Sequence, residues 1–363
     1  MKKICFFNSS DFWGGGEMLH LENAIEFRNR GFQVVVAANP NSELWKRAQK
    51  NGFDTMAVRI NSLSFLNIIK LMKLQKQFSV HKIDTLIFTT SQDFKTASIA
   101  GYLANIPIVV YLRGLAVPIK RSLVNQFCIT RACTHIIANS EETKRRILQH
   151  FQGILPADSV KSIYHGIQPK LLENKKLSGH FFSQKSKGII LGNAGRLTKQ
   201  KGQHHLIEVA RYLKEEKIEF TLYIAGTGEL LDELTESIEK HHLQNDVILL
   251  GFVKEMEIFM QSIDLFLLPS SWEGFGFAIV EAMAKGKPVV AFNTTSNPEI
   301  ITDQKTGLLA DFSEPKDFAQ KTKELILDPT LRKRMGKAAK QSVVDRFIIQ
   351  DRVVELEKYI AIK

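Results

Sequence analysis

Short runs of β-branched and aromatic residues alternate with helical patterns along almost the whole chain. Lys3–Phe7, Phe32–Ala37, Asp84–Phe88 and Ile108–Leu112 read as strands, and Glu17–Asn29 and Asp93–Leu103 as helices between them. The rhythm restarts after residue 187. Gly188–Ala194, Phe220–Ala225 and Asp264–Leu268 carry the strand signal, and Gln203–Glu215 and Glu229–Lys240 the helical one. Strands separated by helices of about 10–15 residues imply parallel sheets covered on both faces. Gln168–Lys187, polar and Lys-rich, reads as a linker between the two series. Val343–Ile362 reads as one helix that follows the second sheet and packs back on the first domain. The pattern therefore predicts an α/β chain of two Rossmann-like, doubly wound domains, 1–171 with 346–363 returning to it, and 172–345.

Length agrees with that division, since 363 residues at about 100–200 per domain make two. A chain 44% hydrophobic and 24% charged has the balance of a folded globular protein, which excludes disordered, collagen-like and coiled-coil classes. Three cysteines, Cys5, Cys128 and Cys133, supply neither a disulfide framework nor zinc spacing. The opening MKKICFFN lacks the apolar core of a signal peptide. Thr96–Leu112 is interrupted by Asn105-Ile106-Pro107 and falls short of the about 20 apolar residues of a membrane span. A cytoplasmic location is expected.

Charge is unevenly spread along the chain. Residues 1–171 hold 22 Lys and Arg against 11 Asp and Glu, whereas 172–363 hold 27 of each, so the whole excess of +11 lies in the first half. Asn61–Arg131 alone has nine basic residues and two acids, Asp84 and Asp93. Such asymmetry points to an anionic partner for that half: a nucleic acid, an anionic membrane face or a phosphorylated substrate. No nucleic-acid motif accompanies it, and a nucleic-acid partner is not expected. Leu63–Phe78, with Lys70, Lys73 and Lys76, is a candidate interfacial helix that would hold the protein peripherally on the inner face of the membrane.

Ligands of doubly wound sheets bind beyond the carboxyl ends of the strands, so the chemistry is sought there. After Asp264–Leu268 comes Ser271-Trp272-Glu273-Gly274-Phe275-Gly276-Phe277, with Glu281 further on. Its glycines permit close backbone approach, and a helix starting near Gly276 offers free N–H groups to an anion. Carboxylates suit hydroxyls better than phosphates, so Glu273 and Glu281 suggest a ligand with both phosphate and sugar hydroxyls. Gly195-Arg196 and Lys201-Gly202, at another strand end, provide a forked and a point-charge phosphate contact. Ala225-Gly226-Thr227-Gly228 ends a third strand, and Gly14-Gly15-Gly16-Glu17 follows the first. Neither G-x-G-x-x-G nor G-x-x-x-x-G-K-[ST] occurs, which disfavours hydride transfer and P-loop hydrolysis. No Asp-x-Asp pair is present either, so neither a metal nor a cofactor is expected.

Taken in order, and with Asn139-Ser140-Glu141, His165-Gly166-Ile167, Gly251-Phe252-Val253, Pro298-Glu299-Ile300-Ile301 and Thr306-Gly307-Leu308-Leu309, these motifs resemble a retaining GT-B glycosyltransferase of the GT4 family, the glycosyl transferases group 1, over nearly the full length. The resemblance implies two Rossmann-like domains facing an interdomain cleft and a nucleotide-diphosphate sugar as donor, UDP- before GDP-. It implies that Arg196 and Lys201 hold the diphosphate, Glu273 meets the transferred sugar and Glu281 the ribose hydroxyls. It further implies that the backbone of Phe275, Gly276 and Phe277 approaches sugar and phosphate. Gly251, Phe252 and Val253 would meet the base, and Gly15 and Gly16 the phosphates. Arg196, Lys201 and Glu273 form the expected catalytic set. The acceptor is expected to be a glycan or lipid-linked glycan of lipopolysaccharide or cell-envelope type. Arg113 stands where many relatives carry His, and His165 stands in a turn that is usually Asn-Gly-x-Asp; both are acceptor-side candidates. A GT-B-type sugar-nucleotide epimerase or hydrolase is the alternative enzyme, and a basic nucleic-acid-binding protein the alternative outside catalysis.

Overall fold

The computed structural model describes residues 2–175, 182 and 187–361. The chain divides into two units, Met1–Gly166 with Ile349–Lys363, and Ile167–Ile348. The divisions fall five and three residues from the expected 171/172 and 345/346.

The first unit is a seven-stranded, all-parallel sheet. Its strands are β1 (Lys3–Asn8), β2 (Gln33–Ala38), β3 (Asp54–Ala57), β4 (Thr85–Phe88), β5 (Ile108–Arg113), β6 (His135–Ala138) and β7 (Val160–Ser162), ordered β3-β2-β1-β4-β5-β6-β7. Alternate side chains of each strand serve opposite cores, as the two-residue strand period requires. Cys5, Phe7, Val35, Leu86 and Phe88 meet Leu71, Leu74 and Phe78 of the helix Ile68–Val80. Ile4, Phe6, Val36, Ile87 and Val110 meet Leu21, Ala24 and Phe27 of the helix Gly15–Asn29.

The same second core receives Ile349, Val353, Leu356 and Ile360 from the helix Ile349–Ala361. At about 1.5–3 kcal/mol per buried apolar side chain, those four contribute roughly 6–12 kcal/mol before ordering costs, enough to keep the chain terminus on this unit. The single helix expected over 343–362 is in fact two. Pro329–Arg346 ends before Phe347, whose carbonyl accepts from the Ile167 N–H (2.8 Å) instead of continuing a helical ladder, and Ile348 bridges Ile167.

The second unit is a six-stranded parallel sheet: β8 (Ile189–Ala194), β9 (Phe220–Ala225), β10 (Val247–Gly251), β11 (Leu265–Leu268), β12 (Val289–Phe292) and β13 (Gly307–Ala310), ordered β10-β9-β8-β11-β12-β13. The order reverses at β8/β11 here and at β1/β4 in the first unit, and a reversal of that kind opens a crevice at the carboxyl ends of the strands. Of the expected linker, 176–181 and 183–186 lie outside the described residues, and Pro169–Leu172 makes a short 3-10 turn. Among the described residues, no helix is long and apolar enough to cross a membrane.

Candidate functional site

The loops that leave β8 and β11 flank the reversal of the second sheet and are tied to one another. Buried Asn193, near the end of β8, donates from Nδ2 to the Leu267 carbonyl (2.8 Å). Beyond it, the Gly195 N–H donates to the Ala225 carbonyl (3.0 Å) and the Leu197 N–H to the Thr227 carbonyl (3.0 Å), so the loop after β9 lies against this one. The Gly226 N–H in turn donates to the Gly251 carbonyl (2.7 Å), which brings in the loop after β10. Gly202 has φ +66°, and a Cβ there would stand 2.2 Å from the Pro269 carbonyl oxygen. Only glycine lets the first loop run this close to the second.

Across that contact the Ser271 N–H donates to the Gln200 carbonyl (2.8 Å) and Gln200 Nε2 to the Trp272 carbonyl (3.0 Å). The result is the central feature of the unit: Lys201 Nζ lies 2.6 Å from Glu273 Oε1. Glu273 is buried at 5% exposure, and its main chain is held by the loop after β12. Its N–H donates to Thr295 Oγ1 (3.0 Å), and Ser296 Oγ donates to its carbonyl (3.3 Å). Residues 72 apart in sequence thus form a mostly buried ion pair with one member on each loop. A pair so placed loses water from both charges, and removing either partner strands the other.

Arg196 lies exposed on the same loop as Lys201, and its carbonyl accepts from Gln203 Nε2 (3.1 Å). Gly276, at φ +74°, heads the helix Phe277–Ala284, and no side chain caps that helix. Phe275 is buried against Phe277 and Phe347, so its backbone and not its ring is available to a ligand. Glu281 is half-buried in the second turn of this helix. Phe252, following Gly251, is 80% exposed, an open aromatic face beside the Gly226 turn, while Val253 is half-buried. One sheet edge therefore gathers Arg196, Lys201 and Glu273 with the Gly251–Val253 and Phe275–Phe277 segments. Two cationic side chains and a helix N-terminus suit a polyanion, and carboxylates suit hydroxyls. Among the described residues no cluster of His, Cys, Asp or Glu could hold a metal ion.

The candidates of the first unit stand differently. Gly15 and Gly16 open the helix after β1 and are exposed; a Cβ at Gly16 would meet nothing within 4 Å, so packing does not require glycine there. Arg113 is buried at the end of β5. Its guanidinium donates to the Leu115 and Val117 carbonyls (3.0 and 2.8 Å), Ser91 Oγ (2.6 Å) and Tyr111 Oη (2.9 Å), so it shapes the loop after β5 from within. His165 is buried, and desolvation pushes its imidazole down to about 3, which keeps it neutral. With Leu112, Ile137 and Ile163 it lines a void of about 20 Å³.

Sequence reasoning passed over the buried network at the ends of β1 and β4. Asp93 accepts from the Ser9 N–H (3.2 Å), from Ser9 Oγ and from Thr90 Oγ1 (2.7 Å), and burial pushes its carboxyl up to about 6. Its only sequence signal is an acid at the start of a helix, which reads as an ordinary cap. Gln203, Thr295 and Ser296 were likewise passed over, because they act on loop backbone and carry no motif of their own.

Two family models divide the chain. Glycosyltransferase Family 4 matches residues 13–171, and Glycosyl transferases group 1 matches 178–342. The capsular polysaccharide biosynthesis glycosyltransferase CapM of Staphylococcus aureus is 25% identical over 356 residues, 93% of this chain and 92% of that protein. The UDP-Gal:alpha-D-GlcNAc-diphosphoundecaprenol alpha-1,3-galactosyltransferase of Escherichia coli is 24% identical, over 81% of this chain and 78% of that protein. Among solved structures, Anabaena Alr3699/HepE in complex with UDP superposes with a TM-score of 0.84 over the whole of both chains at 21% identity, which establishes a shared fold.

Proposed function

We propose, from the premise that this chain belongs to the group 1, GT4-type glycosyltransferases and is a GT-B transferase enzyme, that it moves a sugar from a UDP-sugar to a glycan or lipid-linked acceptor with retention of configuration. The product belongs to capsule or other cell-envelope polysaccharide, lipopolysaccharide included. The observation that carries this reading is the Lys201–Glu273 pair at 2.6 Å, set beside Arg196 at the reversal of the second sheet. The UDP-galactose named for the E. coli relative and the UDP bound to Alr3699/HepE favour uridine as the base.

In this mechanism the diphosphate enters between Arg196 and the head of the helix Phe277–Ala284. As the glycosidic bond breaks, negative charge grows on the departing diphosphate, and the helix N-terminus, Arg196 and Lys201 stabilise it. Lys201 turns from Glu273 toward the phosphate, and Glu273 then accepts from a hydroxyl of the transferred sugar. Glu281 accepts from the ribose hydroxyls, and Phe252 lies against the base. The leaving phosphate takes the acceptor's proton on the same face of the sugar, so no protein nucleophile is needed. Phosphate charge is met by protein cations, and no metal takes part.

The test is a panel of UDP- and GDP-sugars with lipid-linked and glycan acceptors, read by mass spectrometry in EDTA. Transfer from a UDP-sugar supports the reading. Sugar release or epimer formation with no acceptor product would replace it by hydrolysis or epimerisation, and a strict need for Mg2+ or Mn2+ would remove the metal-free mechanism.

A further inference from the structure

The first unit contains a cavity of about 450 Å³ at the carboxyl ends of β2 and β3, away from the reversal at β1/β4. Pro40, Ala57, Val58 and Ile60 form its apolar wall, and Arg59, Lys70 and Lys73 stand around it. The Val58 N–H donates to the Ala38 carbonyl (2.9 Å), which fixes the strand-end wall. Lys70 Nζ lies 3.5 Å from Ser64 Oγ, and among the described residues none of the three cations has a carboxylate partner. A concave site with three unneutralised cations and no acid in its lining selects an anion of moderate size.

The helix that forms the other wall is unusual on its outer side. Ile68–Val80 buries Leu71, Leu74 and Phe78, as a core-facing stripe should. Yet Ile68, Ile69 and Met72 are 71%, 79% and 60% exposed, where a surface helix ordinarily presents polar residues. Leu63 and Leu66, on the turn just before it, are 65% and 68% exposed and continue the three-residue spacing toward Ile69 and Met72. At 100° per residue, Lys70 and Lys73 flank this apolar stripe on the cavity side, and Lys76 lies within it. Bulky apolar tips beside a ring of cations complement a bilayer that carries acidic headgroups.

We infer that this face docks on an anionic membrane, with the phosphate of an acidic phospholipid headgroup in the Arg59–Lys70–Lys73 cavity and Ile68, Ile69 and Met72 entering the acyl boundary. The inference does not rest on the proposed reaction, because none of these residues belongs to the second unit or its loops.

Co-sedimentation of the full chain with vesicles tests it. The wild type should sediment with phosphatidylglycerol vesicles and stay in solution with phosphatidylcholine. Lys70→Gln with Lys73→Gln should weaken the phosphatidylglycerol affinity roughly 30-fold, at about fivefold per basic residue near the surface. Ile69→Ser with Met72→Ser should weaken it at least about tenfold. UDP binding by calorimetry and the thermal midpoint should stay at wild-type values in both variants, which separates failed docking from failed folding or from failure of the donor site. Sedimentation of either variant equal to wild type overturns the inference. So does glycerol 3-phosphate displacing the protein while the apolar variant behaves as wild type, which would make the cavity a site for soluble phosphoesters. Binding to single-stranded DNA as tight as to vesicles, lost only in the basic variant, would overturn it as well.

Discussion

The two units share a fold and differ in how they present their functional groups. In the second, the strand-end loops after β8, β9, β10 and β11 are joined by backbone hydrogen bonds, the side chains of Thr295 and Ser296 tie in the loop after β12, and the ion pair of Lys201 with Glu273 is set inside that frame. The site there is built from contiguous motifs held together by these bonds. In the first, the acceptor-side candidates Arg113 and His165 are buried, and Arg113 is hydrogen-bonded to the loop after β5. The unit's free cations and apolar side chains stand instead on an outer surface around the helix Ile68–Val80. The electrical contrast runs the same way: 22 basic against 11 acidic residues in 1–171, and 27 of each in 172–363. On the two proposals above, a small, constant ligand would be met by groups in a crevice and an extended amphiphilic partner by a surface.

Removing one partner of the Lys201–Glu273 pair should have the largest effect. Lys201→Ala leaves Glu273 buried without its cation, a change that costs about 3–5 kcal/mol in such pairs, and it removes a phosphate donor as well. Turnover should fall by at least about 10²-fold, together with the melting temperature. The double variant Lys201→Met with Glu273→Gln should recover much of the stability and none of the activity; recovery of both would make the pair structural only. Arg196→Ala comes next. Arg196 is exposed, so stability should hold while kcat drops by about 10²-fold; a normal kcat in steady-state kinetics would take it out of the reaction.

Glu281→Ala should be milder and of another kind. A hydroxyl bonded to a carboxylate contributes about 1.5–3 kcal/mol in ground state and transition state alike, so KM for the donor should rise about 10- to 150-fold with kcat nearly kept. A fall in kcat at unchanged KM would contradict a ribose contact.

The smallest effect on turnover belongs to Asp93 in the first unit. Its carboxyl is pushed up to about 6 from an ordinary 3.8, so between these values the native state binds more protons than the unfolded chain. Stability should therefore fall as pH rises from about 4 to about 6 and level off above, by at most about 3 kcal/mol. Asp93→Asn should abolish that component in urea titrations across the range. An unchanged pH dependence would show that the network around Ser9 is ionised throughout.

The sequence carried the second unit further than the first. Helix Gln203–Glu215 and strand Phe220–Ala225 coincide with their expected limits; Gly202 stands just before the one and Gly226 just after the other. The partnership of Lys201 with Glu273 was not legible, since it depends on Gly202 letting one loop run against the Pro269 carbonyl. Arg113 read as an available cation because sequence does not reveal that Leu115 and Val117 turn their carbonyls back on it. The terminal helix read as unbroken because nothing local to Phe347 announces that Ile167 will claim its carbonyl. Lys70, Lys73 and Lys76 were legible as a basic stripe, but the exposure of Ile68, Ile69 and Met72 came only with the packing of Leu71, Leu74 and Phe78 beneath them.

On the proposed reading, nucleotide binding rests mainly on the loops of the second unit. Hydrogen exchange of the full chain, followed by mass spectrometry with and without saturating UDP, tests it most directly. Slowed exchange is expected in peptides covering Gly195–Gly202, Gly226–Gly228, Gly251–Val253 and Gly274–Glu281, lost together in Arg196→Ala and Glu281→Ala at the same UDP concentration. Protection confined to residues 2–166, with those four segments exchanging as in the free protein, would contradict it.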